Sequence, residues 1–194
     1  PFVMARIAAL HALGDVWAMG ARPQAALAQV ILPRLSPRLQ ARTLAEITAA
    51  AAAVLGAAGA DLVGGHTSVG AALSIGFTIT GLAARPVAKG PPRPGDALIL
   101  TRPLGSGVVL AAEMARRRLP GRGLMLGEAV AGALELMQRP GGAAAALLAL
   151  EAHAMTDVTG FGLAGHLAEM LGEGAVAAQI ALGAVPFLAG AVEL

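Results

Sequence analysis

With no cysteine and no tyrosine among its 194 residues, the chain must place any catalytic chemistry on Asp, Glu, His, Ser, Thr, Lys, Arg or backbone amides. Aspartate is scarce, limited to Asp15, Asp61, Asp96 and Asp157. Asp61 and Asp96 follow Ala60 and Gly95 at expected strand starts, positions where Asp commonly serves a turn or a cap. Asp15 sits in Ala12-Leu13-Gly14-Asp15-Val16-Trp17-Ala18-Met19-Gly20, near the end of an apolar helix. A carboxylate there faces the negative end of the helix dipole, and a bound metal would supply the missing cation. A solvated helix-end Asp is the plainer alternative, because at an exposed site the dipole penalty is only some tenths of a kcal/mol.

Asp157 lies in Thr156-Asp157-Val158-Thr159-Gly160-Phe161-Gly162-Leu163-Ala164-Gly165-His166. The three glycines spell G-x-G-x-x-G, yet no hydrophobic strand precedes them and no acidic residue stands between Glu173 and Glu193, so the segment is not a dinucleotide fingerprint. It reads as a polar loop that presents Asp157 and then enters a helix. Hard oxygen ligands on separate segments, without Cys or H-x-x-x-H, suit magnesium bridged by substrate phosphates. Gly64-Gly65-His66-Thr67, after a short strand, lets backbone amides approach a phosphate, or is an ordinary tight turn. Gly105-Ser106-Gly107 before a helix has the same two readings, anion site or plain capping. His66 and His166 are candidate ligands, although a lone His in an apolar setting is more often a core or capping residue.

These residues need elements to hold them, and the composition says which kind. Hydrophobic residues make up 56% and charged residues 13%, against a usual charged share of about 25%, and the mean hydropathy is +0.70. Such a chain packs rather than remaining disordered. Its length suits one large or two small domains, and with aromatics at 3% the core must be built from small residues. A membrane helix needs about 20 mainly apolar residues. The stretch from Val63 to Ala84 is interrupted by glycines and polar residues, Ile47 to Ala60 is too short, and no basic-then-apolar signal peptide opens the chain. No membrane partner is expected, and a cytoplasmic location is. Absent cysteine excludes disulfides, thiolate nucleophiles and Cys-ligated metals. The net charge is only +2, and the cluster Arg116-Arg117-Arg118 with Arg122 suits a helix C-terminus, so no nucleic-acid partner is expected.

Periodicity predicts a helix over Met4 to Trp17 stopping near Gly20, and a buried strand over Ala25 to Leu32 between Pro23 and Pro33. A helix then runs from Ser36-Pro37 to about Ala58, ended by Gly59. Short strands are expected at Asp61 to Val63 and Leu73 to Leu82. Prolines, glycines and the only lysine, Lys89, mark a boundary at Arg85 to Gly95, giving lobes 1–88 and 89–194. In the second lobe a strand is expected at Asp96 to Thr101, with helices at Val108 to Arg118, Leu124 to Met137, Ala143 to Glu151 and Leu163 to Leu171. The fold class is α/β (α+β).

Taken together, Arg6-Ile7-Ala8-Ala9 through Gly20, Gly64-Gly65-His66-Thr67, Gly95-Asp96 through Gly105, and Thr156 through Met170 resemble the selenophosphate synthetase (selenide, water dikinase) family, in order and spacing. The Gly-Gly-polar motif is shared with a wider group that includes aminoimidazole ribonucleotide synthetase, thiamine-phosphate kinase and a hydrogenase-maturation protein. The resemblance implies a two-lobed aminoimidazole-ribonucleotide-synthetase-like fold, its first lobe forming a β-barrel with a dimer mate and its second an α/β layer. It implies a homodimeric phosphotransferase that uses ATP, selenide and water to give selenophosphate, AMP and phosphate. By matching position, Asp15 would contact ATP and Mg2+, Asp157 would bind Mg2+, and Gly64, Gly65 and His66 would contact ATP from across the dimer.

Departures from the family are specific. Members carry an upstream segment with a Cys or selenocysteine and a Lys, and this chain begins after it, so the catalytic residues are expected upstream and the piece alone is expected to be inactive. His11 stands where Asn is usual, Gly14 where Ser is usual, and Ser68-Val69-Gly70 where an acidic, proline-containing stretch is usual. A short Asp-Asp-Pro insert common between Val3 and Met4 is missing. The alternatives are a catalytically silent nucleotide-binding or assembly module of the same fold, and another ATP-dependent kinase or ligase of that superfamily.

Overall fold

Left-handed glycines end the two long helices. In chain order the elements are α1 (Phe2–Ala18), β1 (Arg22–Pro33), α2 (Pro37–Ala57), β2 (Asp61–Gly70), β3 (Ser74–Leu82), α3 (Ser106–Met114), α4 (Leu126–Met137), α5 (Gly142–Leu148) and α6 (Gly162–Leu171), with a 3-10 turn at Leu182–Ala184. At the end of α1, Gly20 has φ 65°. Its N–H donates to the Trp17 carbonyl at 2.9 Å and the Ala21 N–H to the Val16 carbonyl at 3.2 Å, the paired bonds that close a helix on a residue with no Cβ penalty. Gly59 (φ 84°) closes α2 the same way, through Gly59 N–H to Gly56 and Ala60 N–H to Leu55. Pro37 opens α2 at its first turn after Ser36. The computed structural model describes residues 1–118, 126–174 and 176–194; Arg122 and the expected helix start at Leu124 lie outside the described residues.

Two units are built, Pro1–Pro91 with Pro140–Asp157, and Pro92–Arg139 with Val158–Leu194. The chain thus returns to the first unit for α5 and Asp157. In that unit the sheet order is β2-β1-β3, with β1 parallel to β2 and antiparallel to β3. A parallel pair needs a crossover, and α2 supplies it. Small residues let both long helices sit close on one sheet face. Ala9, Leu10 and Leu13 of α1 and Ala51, Val54 and Leu55 of α2 bury with Ala26 of β1, and Ala5, Ile47 and Ala50 bury with Val30 and Leu32. Period-2 alternation turns Leu27, Gln29 and Ile31 to the other face.

The second unit packs α3 on α4 through Val109, Ala129 and Ala133, with Ala191 closing the cluster. Two expectations need correction here. Residues 96–101 form no strand: a strand requires a hydrogen-bonded neighbour, and among the described residues this region offers only the bridge from Leu104 to Phe187, leaving Leu98 and Ile99 exposed. The helix expected to reach Arg118 ends at Met114. Arg116 takes a left-handed conformation, φ 51°, and the Arg117 N–H turns back to the Ala112 carbonyl at 2.8 Å, the same closure a glycine makes in α1.

Candidate active site

Close packing around the last turns of α1 brings Asp15 and Asp157 together within the first unit. A Cβ on Gly142 at the start of α5 would lie 2.8 Å from the Trp17 ring, and one on Gly20 would lie 2.9 Å from Ala149, so these two glycines allow α5 to lie against the end of α1. The segment after β3 then runs alongside. The Val87 N–H donates to the Met19 carbonyl at 3.0 Å, and the Met155 N–H donates to the Ala88 carbonyl at 3.0 Å. Residues 87–88 therefore form a seam between the end of α1 and the stretch leading to Asp157. At Gly14 a Cβ would sit 3.9 Å from both Cβ and Oδ2 of Asp157, which sets that carboxyl beside the helix turn carrying Asp15.

The two carboxyl groups lie close enough for each to feel the other's charge. Two neighbouring carboxylates repel, which favours the protonated form of one of them. The Asp15 carboxyl is accordingly held above its ordinary value, first by loss of hydration, then by the negative charge of Asp157. His11, one turn earlier on α1, and Lys89 oppose the shift. Asp15 keeps one side open to solvent, so the perturbation is that of a rim and not of a sealed interior. Among the described residues no third Asp, Glu, His or Cys completes a ready-made metal cluster. Lys89 and His11 were no part of the site read from the sequence. His11 could have been found by its i, i+4 spacing to Asp15; Lys89 had only its standing as the sole lysine.

Gly64, Gly65 and His66 lie elsewhere. They form no tight turn: they continue β2, opposite Leu27, Ala28 and Gln29. The register shifts between Ala26 and Leu27, so that Val63 is a bulge and the following residues change faces. Gly64 and His66 consequently share the face of Leu27 and Gln29, opposite the face on which α1 and α2 pack. At Gly65 a side chain would collide with the Ala28 carbonyl, so the close approach of two strands is what requires glycine there. Asp61 opens β2, and Asp96 accepts a bond from the Arg93 N–H at 2.7 Å; both serve turns or strand ends.

In the second unit His166 is buried, 5% exposed, and fully engaged. Its Nε2 lies 3.1 Å from the Thr159 hydroxyl, its Nδ1 3.1 Å from the Glu169 carboxylate, and the Phe161 ring stands 5.4 Å from its own. It fastens the turn before α6 to that helix, the core or capping role. Gly105 has φ 110° and precedes α3 with no side-chain cap. No strand precedes Gly160, as the rejection of a dinucleotide fingerprint requires.

Two family models match, the N-terminal domain of AIR synthase related protein over residues 1–83 and its C-terminal domain over residues 93–192. The chain belongs to the AIR synthase related protein family. Within this family it is similar to proteins named selenide, water dikinase: 43% identical over 196 residues to that of Geobacter metallireducens, covering 100% of this chain and 55% of the relative. It is 40% identical over 193 residues to that of Burkholderia pseudomallei, covering 98% and 52%. The chain thus spans about half the length of the curated relatives it matches. Among solved structures, a thiamine-monophosphate kinase from Stenotrophomonas maltophilia superposes with a TM-score of 0.77 at 24% identity, covering 97% of this chain and 59% of that one. That likeness shows the fold. Among the described residues no helix is long and apolar enough to cross a membrane.

Proposed function

We propose that the chain is the ATP- and metal-binding core of a selenide, water dikinase, whose complete form converts ATP, selenide and water to selenophosphate, AMP and phosphate. The balance requires both phosphoanhydride bonds of ATP to break, one phosphoryl group ending on selenium and the other on a water oxygen. Similarity at 39–43% identity across the length of this chain to relatives of that name supports the choice of substrates.

One observation supports this reading of the site: the proximity of Asp15 and Asp157 within the first unit. Two neighbouring hard oxygen donors that repel each other when ionised suit a divalent cation such as Mg2+, with phosphate oxygens and water filling its other positions. Such an ion would neutralise charge on the transferring phosphoryl group. Asp15 and Asp157 would hold it, and Asp15 would also contact ATP. Gly64 and His66, with Gly65 between them in the strand, are on the sheet face away from α1 and α2, so the three would serve the ATP of a second copy. A homodimer follows, and Leu27 and Ile31 on that uncovered face are suited to its interface.

The test is 31P NMR of the full-length gene product with ATP, selenide and magnesium under anaerobic conditions. The expected products are selenophosphate, AMP and orthophosphate in equal amounts. Absence of turnover would favour a silent binding module, and ADP with a phosphorylated acceptor other than selenium would favour another kinase of the fold; either result contradicts the proposal.

A further inference from the structure

Lys89 is the only lysine of the chain, and its position is set by backbone on both sides of the carboxyl pair. Immediately before it, Val87 is buried and donates to Met19 of the turn that follows Asp15 in α1, while Ala88 accepts from Met155, two residues before Asp157. Lys89 is therefore the next residue on the seam that joins the two carboxyl-bearing segments. Its ammonium acts on Asp15 with the sign of a counter-charge. His11 supplies the other opposing charge when protonated, from α1 itself. Among the charges acting on Asp15 that of Lys89 is the smallest, but its backbone adjoins both carboxyl-bearing segments, and a lysine cation and a divalent cation drawn to the same carboxyls would repel.

We propose that Lys89 is the internal counter-ion of the Asp15–Asp157 pair and competes with a divalent cation for it, moving to the phosphate oxygens of the nucleotide once the metal is bound. This rests on the metal reading of the pair given above. A lysine suits the exchange, since its ammonium is a compact point charge on a flexible four-carbon stem, able to leave one oxygen and meet another without a fixed fork geometry. It predicts opposite effects on two ligands from one substitution, which a merely structural role would not produce.

The experiment compares the full-length protein with its Lys89→Gln and Lys89→Arg variants, using Mn2+ as the metal probe in paramagnetic resonance titrations without nucleotide, followed by ATP titrations at saturating Mn2+. In Lys89→Gln the metal should bind about two- to fivefold tighter, the range expected when a partly exposed ion pair no longer competes, and ATP should bind more weakly. Lys89→Arg should keep the metal affinity of the parent. Thermal melting of metal-free samples supplies a readout free of any ligand: Lys89→Gln should melt below the parent. Unchanged or weaker Mn2+ binding in Lys89→Gln overturns the proposal. If the parent itself binds no Mn2+, the metal reading fails instead, and the counter-ion role is then decided by melting alone, lowered if Lys89 neutralises the pair and unchanged if it does not.

Discussion

The Asp15 carboxyl shows how a single ionisable group couples site to stability. Its folded-state value lies above the ordinary 3.8, chiefly from lost hydration and then from Asp157. A raised acid binds its proton more tightly in the folded state, so its contribution is fully present below the unfolded value and is lost as pH rises through the folded one. At neutral pH the ionised group therefore opposes folding. Metal-free Asp15→Asn should melt higher than the parent at pH 7, and the difference should vanish as the pH is brought below 3.8; a lower melting temperature at pH 7 would show that the pair stabilises the fold. His166 is the contrasting case, a buried side chain whose two ring nitrogens are both satisfied. His166→Leu keeps the bulk and removes both bonds, which should cost about 1–2 kcal/mol, read from the midpoint of urea unfolding.

Among the elements, β2 most needs its tertiary partner. Gly65→Ala should push β2 away from β1, because the added methyl meets the Ala28 backbone, at a cost of about 1–3 kcal/mol; a melting curve identical to the parent would refute the close approach. This strand also shows where sequence reading stops. The ends of α1 and α2 were legible because Gly20 and Gly59 act locally, through a left-handed residue that closes the helix. Beyond Val63, Gly-Gly-His-Thr has the composition of a turn, and only the ladder to β1, with its bulge, makes it strand. The apolar run 96–101 failed in the opposite direction, strand-like locally but with no neighbour to pair. Asp157 was legible as a loop carboxylate because glycines and threonines surround it. Lys89 was not, since its place near the segments that bear Asp15 and Asp157 depends on two backbone hydrogen bonds of residues 87 and 88 to chain distant in sequence.

For the whole molecule, the sheet is covered by helices on one face, and Leu27, half exposed at 50%, lies with Ile31 and His66 on the other. The proposed assembly buries that face against a second copy. Light scattering of the full-length gene product at micromolar concentration should give twice the chain mass, and a stable monomer would remove the basis for His66 serving a partner's nucleotide. If Asp15 and Asp157 form the metal site of an ATP-consuming enzyme, one substitution in the full-length protein should remove its activity. Asp157→Asn keeps the side-chain size and removes a full charge from a hard-cation ligand. The measurement is magnesium-dependent ATP turnover, with circular dichroism confirming the fold. Asp157→Asn should be folded with turnover abolished; turnover at the parent rate would show that Asp157 holds no catalytic metal.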